Sequence, residues 1–197
     1  MTIFLCYKTC RLRHYIYIEN EGDFLMYSKE ELAELIIKNP QEYNSYKKNA
    51  GGLDLTELDF SNIKLEEIDF TNSELAGTSF NDANIADCDF SGADLNAADF
   101  TRADISGCNF TESVLAGADF SYASVSGSDF TDADMAGCIV KEADLSDSDF
   151  SQSRNLSAAR ADETTIWPDN EMLPDDFDTN YSKDNEDGED EAEETDY

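Results

Sequence analysis

From Gly51 to Phe150 every fifth residue is large and apolar, beginning Leu55, Phe60, Leu65, Phe70, Leu75 and Phe80 and ending Val140, Leu145 and Phe150 without a gap. Two places before each stands a small or apolar residue, such as Ala83, Cys88, Ala93 and Ala98. A period of five fits neither the 3.6 residues of a helical turn nor the alternation of a continuous strand. It fits a three-residue strand with both ends pointing inward, followed by a two-residue turn. With the large residue as i, the strand is i−2 to i, i−1 faces out, and the turn pair i+1 and i+2 is rich in Ser, Thr, Asn, Asp and Gly, as turns require. The pattern predicts a solenoid that bends once per pentapeptide.

Phe recurs every tenth residue with aliphatic residues between, so like stacks on like only if a coil has an even number of sides. Four sides and a lap of twenty residues place Phe60 under Phe80, Phe100 and Phe120. A second ladder, Phe70, Phe90, Phe110, Phe130 and Phe150, then lines the opposite wall, with aliphatic ladders on the other two. Aromatic stacking adds to the burial of area in such columns.

At Ala93-Asp94-Leu95, Ala103-Asp104-Ile105, Ala133-Asp134-Met135 and Ala143-Asp144-Leu145 the chain resembles the pentapeptide-repeat family, whose motif is A-(D/N)-L-x-x. That resemblance implies an all-β solenoid, specifically a right-handed quadrilateral parallel β-helix. It also implies a functional context, because some members resemble DNA in shape and charge and bind type II topoisomerases in its place. The interrupting loops and C-terminal dimerisation helix of some gyrase-protecting members have no counterpart here.

Ahead of the array, Ser28 and Glu31 form a capping box, with Tyr27 and Leu32 placed as its hydrophobic staple, so a helix is expected from Lys29. Asn39 caps a second, with Pro40 at its first position and Glu42 three residues after the cap. This hairpin, residues 28–50, is expected to lid the open end of the solenoid. Residues 1–27 read as an N-terminal extension without legible pattern, for which a start at Met26 is the alternative. The array with its closure spans 51–168. There the five-residue frame breaks after Phe150, Arg154 and Asn155 fall at inward positions, and Trp167 is placed to plug the end. Residues 169–197 read as an acidic, mostly disordered tail.

Charge changes the picture most: 13 basic against 45 acidic residues give a net −32. Residues 51–160 hold 22 acidic and 5 basic side chains, hence a net −17. Spread over a rod of about 25 Å, this is about one charge per 1.5 Å, close to the roughly 1.7 Å of duplex DNA. Such a surface disfavours nucleic acid and anionic membranes and favours a partner with a basic surface. Five cysteines without a disulfide pattern, and the absence of a signal or spanning segment, point to a reducing cytoplasm. Cys88 and Cys108 read as small apolar filler.

No catalytic constellation is legible. The carboxylates sit at solvent-facing positions, and the single histidine, His14, precedes the array. Cys6, Cys10 and His14 share a metal-like spacing but lack a fourth ligand, so no metal or cofactor is expected. The expected function is therefore a non-enzymatic protein-interaction module, in its sharper form a DNA mimic for a DNA-binding enzyme such as a topoisomerase. A structural scaffold or tether is the rival reading. Candidate partner-binding residues are Asp69, Asp89, Asp129 and Asp149 on one wall, with Glu112 and Asp132 flanking it. A second group is Arg102, Tyr122 and Ile139, beside Lys141, where the acid is interrupted.

Overall fold

In a computed structural model, residues 27–175 and Phe177 are described. The expectations for residues 1–26, with Cys6, Cys10 and His14, and for residues 176 and 178–197 of the tail lie outside these residues; of the tail expected from residue 169, Asn170–Met172 form a 3-10 turn and Leu173 is buried. Two helices, α1 (Lys29–Lys38) and α2 (Pro40–Ala50), precede a parallel sheet of five strands. Its strands are β1 (Lys64–Glu66), β2 (Asn84–Ala86), β3 (Asp104–Ser106), β4 (Ser124–Asp129) and β5 (Asp144–Asp149), paired in sequence order.

The register proves the lap of twenty. Leu65 lies beside Ile85, Ile85 beside Ile105 and Ile105 beside Val125. Three further columns of parallel bridges repeat the same step, starting at Asp54↔Glu74, Asp59↔Ser79 and Asp69↔Asp89. The solenoid thus has four walls, numbered 1 to 4 after the inward residues Leu55, Phe60, Leu65 and Phe70. Continuous strand covers i−1 to i+1 on wall 3 in β1 to β3, rather than the expected i−2 to i, and in β4 and β5 it runs on through the corner to Asp129 and Asp149 on wall 4. On walls 1 and 2, and on wall 4 as far as Asn109↔Asp129, the ladder narrows to single bridges at i−1.

The interior is as the period requires. Every large residue from Leu55 to Phe150 is buried. Phe80, Phe100 and Phe120 stack face to face at 4.8 and 4.7 Å, and Phe90, Phe110 and Phe130 at 4.9 and 4.8 Å. The two columns meet edge-on across the core, as at Phe90 and Phe100, 6.3 Å apart and 84° inclined. Residues at i+2 adopt positive φ from Glu57 to Glu142, which explains their Gly, Asn and Asp content.

The capping box is present in full: Glu31 N–H donates to Ser28 Oγ, and Ser28 N–H donates to Glu31 Oε2 at 2.8 Å. Asn39 caps α2 through Glu42 N–H, with Pro40 in the first turn. Helix α2 does more than cover the first coil, because its side chains occupy the hydrogen-bonding places of a coil that is not there. Asn44 accepts from Asp69 N–H at 3.0 Å and donates to Glu67 O at 2.7 Å. One coil on, Asp89 N–H makes the corresponding bond to a backbone carbonyl, Ile68 O. Lys47, 3% exposed, donates Nζ to Gly51 O and Thr71 O. Desolvation there lowers its pKa, while Asp69 and Asp89 oppose the shift. Tyr43 is fully buried with its ring 6.2 Å from Phe70.

The ladder does not end at Phe150. Asp134 bridges Arg154, Ile139 bridges Arg160, Asp144 bridges Ile166, and Phe150 N–H donates to Met172 O. A short 3-10 turn at Leu156–Ala158 absorbs the extra residue, with Asn155 left-handed before it. Arg154 accordingly faces solvent as an i−1 residue, and Asn155 is also exposed. Leu156, Ala161 and Leu173 are buried in their stead. Trp167 packs against the end of the core as a half-buried side chain, 4.8 Å from Phe177, which packs there too, and its neighbour Pro168 is buried. Among the described residues no helix is long and apolar enough to cross a membrane.

Candidate functional site

Wall 4 carries one outward column, Asp69, Asp89, Asn109, Asp129 and Asp149, joined bridge by bridge. The structure therefore brings the four predicted aspartates together. Each holds its carboxylate in a fixed direction because Oδ1 accepts from the N–H two residues on: Asp69 from Thr71 at 3.1 Å, Asp89 from Ser91 at 3.0 Å, Asp129 from Thr131 at 2.8 Å and Asp149 from Ser151 at 2.9 Å. Asn109 makes the same bond to Thr111 at 3.0 Å. The turn needs the oxygen; it does not need the charge.

Glu112 and Asp132 lie at exposed, left-handed corner positions after Phe110 and Phe130, on consecutive coils between walls 4 and 1. The sequence reading missed the other corner. Glu66, Glu67, Asp87 and Asp147 occupy i+1 and i+2 after wall 3, which is the edge leading into wall 4, and all are exposed. Their frame position was available in the sequence: Glu67, Asp87 and Asp147 hold the same i+2 place as Glu112 and Asp132, one corner earlier. Wall 4 with its two corners bears acids and no cation of its own, but two cations reach it from neighbouring walls: Lys64 pairs with Glu66 at 2.5 Å, and Arg154 Nε donates to Asp132 O at 2.9 Å. The remaining cations of the array, Arg102, Lys141 and Arg160, lie on the other walls or corners.

Two family models match this part of the chain: a pentapeptide repeat region over residues 52–120 and pentapeptide repeats (8 copies) over 113–152. The chain belongs to the pentapeptide-repeat family. Solved structures with similar folds include a pentapeptide repeat protein of the Arabidopsis thaliana thylakoid lumen, at 29% identity, TM-score 0.47, covering 49% of this chain and 67% of that one. Another is the pentapeptide repeat protein Rfr23 from the cyanobacterium Cyanothece 51142, at 14% identity, TM-score 0.42, covering 64% and 98%. A third is QnrB1, a plasmid-mediated fluoroquinolone resistance protein, at 17% identity, TM-score 0.35, covering 56% and 67%. No curated protein matched the sequence.

The second candidate group in this pentapeptide-repeat chain is brought together only in part. Arg102 and Tyr122 share the corner between walls 2 and 3, with the guanidinium 5.2 Å from the ring centroid. Tyr122 is 51% exposed, at φ 64, and a hydrogen bond to Glu142 holds its phenol above the ordinary range. Lys141 is adjacent through its carbonyl, which accepts from Tyr122 N–H. Ile139 lies round the edge on wall 2, half-buried between Asp119 and Arg160.

The buried thiols are also more than filler. Between Phe80 and Ala83, or Phe110 and Ser113, a backbone bond from i+3 to i closes the turn. At the corners after Leu65, Ile85 and Ile105, among the described residues, no such bond is made. The opened groups are served by side chains from the next coil. Cys108 Sγ donates to Ile85 O at 3.7 Å, and Ile68 N–H donates to Cys88 Sγ at 3.5 Å. Ser148 Oγ donates to Val125 O at 3.1 Å and accepts from Ser128 N–H at 3.3 Å.

Proposed function

We propose that this pentapeptide-repeat protein is a non-enzymatic interaction module that presents wall 4 to a basic surface on a protein partner. The observation that carries the reading is the concentration of acid: ten carboxylates on one wall and its corners, met only at the margins by Lys64 at Glu66 and Arg154 at Asp132. Successive coils set them about 4.8 Å apart on a rigid column. A partner built to hold a nucleic-acid backbone meets comparable charge density, so the sharper form of the proposal is DNA mimicry toward a DNA-binding enzyme, with a type II topoisomerase the case the family suggests. Attraction of this kind weakens with ionic strength.

A specific observation favours the rival, a scaffold whose aspartates serve the fold: every wall aspartate already has a structural employment in its own turn. Replacing Asp69, Asp89, Asp129 and Asp149 by Asn separates the two, because Asn109 performs the turn bond without charge. A gyrase supercoiling assay across a salt series, with parent and quadruple variant at equal concentration, is the test. Mimicry requires salt-sensitive inhibition or protection that the variant loses while its melting temperature holds. Equal behaviour of parent and variant leaves the scaffold.

A further inference from the structure

Behind wall 4 the inward i−2 column runs Ile68, Cys88, Cys108, Ser128 and Ser148, so two buried thiols stand on consecutive coils. The Asp89↔Asn109 bridge sets their backbones in register, with Asn109 N–H donating to Cys88 O at 3.0 Å. A coil spacing of about 4.8 Å lies inside the roughly 4.4–6.8 Å between Cα atoms that a disulfide spans. The sulfurs converge as well: Cys88 Sγ donates to Ala86 O at 3.4 Å and Cys108 Sγ to Ile85 O at 3.7 Å, two successive carbonyls of one corner. There the Cys88 thiol donates to Cys108 and holds it below the ordinary thiol range, while the same contact and burial push Cys88 up.

Hydrogen bonding alone does not call for sulfur at these places. Ser148 makes the equivalent bond to Val125 O at 3.1 Å, and Ser128 accepts from Cys108 N–H at 3.2 Å as Cys88 accepts from Ile68 N–H at 3.5 Å. What thiols add over hydroxyls is redox chemistry, open here to a pair and not to Cys138, which is buried on wall 2 over Ala118. The corners they serve lack the closing bond from i+3 to i after Ile85 and Ile105, and exposed Gly107 borders the second. Local opening of such a corner admits a small oxidant.

We propose that Cys88 and Cys108 form a redox modification site, a dithiol that a peroxide closes to a disulfide joining coil to coil. The Cys108 thiolate attacks one peroxide oxygen, which breaks the O–O bond, gives the sulfenic acid and releases hydroxide; the proton shed by Cys108 converts that hydroxide to water. Cys88 sulfur then attacks Cys108 sulfur, forming the S–S bond and expelling a second hydroxide, which takes the Cys88 proton. Two thiols and one hydrogen peroxide thus become one disulfide and two waters. The product withdraws both S–H donors from Ile85 O and Ala86 O and pins the coils behind Asp89 and Asn109. This goes beyond the function proposed for wall 4 and does not rest on it.

The test treats the full-length protein with a hydrogen peroxide series, blocks remaining thiols with N-ethylmaleimide in denaturant and maps the unreduced tryptic digest. Cleavage after Lys64, Arg102 and Lys141 puts Cys88 in peptide 65–102 and Cys108 with Cys138 in peptide 103–141. The expected result is these two peptides joined, lighter than their sum by two hydrogen atoms, from protein that runs as a monomer on a non-reducing gel, and separated again by a phosphine reductant. Cys138→Ala keeps the link, and Cys108→Ser, which copies Ser128 one coil on, abolishes it. Recovery of Cys88 and Cys108 as maleimide adducts or as separate sulfinic acids across the series overturns the proposal. So does a link between copies, a link through Cys6, Cys10 or Cys138 instead, or the same mixture of pairs from native and urea-unfolded protein.

Discussion

Ser148→Ala tests the reading of the wall 3 to wall 4 corner as an opened turn filled by the coil above. On wall 3 alanine is the ordinary i−2 residue, at Ala83, Ala103, Ala123 and Ala143, so a filler reading makes this exchange neutral or stabilising. The geometry says otherwise. Ser148 is 1% exposed, and its hydroxyl is the acceptor for Ser128 N–H and a donor to Val125 O. Alanine leaves one donor and one acceptor unpaired in a dry column, at about 1–3 kcal/mol for each such group. Allowing for partial relaxation, about 2–4 kcal/mol of stability is lost. At about 2–4 °C per kcal/mol for a chain of this size, the melting temperature falls by roughly 5–15 °C. Because solenoids can unfold by segments, hydrogen exchange at the Ser128 amide is read alongside urea denaturation. Ser148→Cys, which installs the group that Cys108 uses at Ile85 O, loses less than the alanine variant. A Ser148→Ala protein within about 0.5 kcal/mol of the parent, with Ser128 exchange unchanged, refutes the account.

Two further expectations concern the ends of the array. Cys138 is fully buried, and desolvation pushes its thiol up to about 12. The unfolded thiol ionises near 8.5, so above that pH the unfolded chain has shed a proton that the folded chain keeps, and stability falls as pH rises toward 12. Cys138→Ala, which copies Ala118 one coil below, removes this component: the loss between pH 7.5 and 9.5 in urea titrations shrinks by about 1.4 kcal/mol, and an unchanged slope contradicts the burial argument. Asn44→Ala deprives Asp69 N–H of its surrogate acceptor, so its exchange accelerates roughly tenfold, about 1.4 kcal/mol, while the Asp89 amide, bonded to Ile68 O, does not respond. Equal protection at both sites in the variant shows that Asn44 does not stand in for a coil.

Much of the architecture is written in the spacing. The five-residue beat excludes three walls and admits four, because Phe can stack on Phe only in laps of an even number of pentapeptides, and the Phe60 and Phe70 ladders with the bridge columns have the four-walled spacing. The capping box at Ser28 and the Asn39–Pro40 start are equally local and equally legible. Grouping of Asp69, Asp89, Asp129 and Asp149 came from the same arithmetic. Pairing of Arg102 with Tyr122 was legible as a shared corner, but the place of Ile139 round its edge was not.

What the tertiary structure alone decided are the exchanges between coils. A period counts positions without saying which backbone groups each turn leaves open. The chemistry of Cys88, Cys108, Ser128 and Ser148, a hydrogen-bonding column beside one of pure alanine, therefore acquires meaning only once the next coil is laid over the corner. The same holds at the ends, where Asn44 and Lys47 imitate an absent coil and Arg154 turns outward. Sequence periodicity determined which side chains share a wall, because that depends on counting along one chain. Which polar groups find partners depends on contacts between residues twenty or more apart, and only the folded stack supplies those.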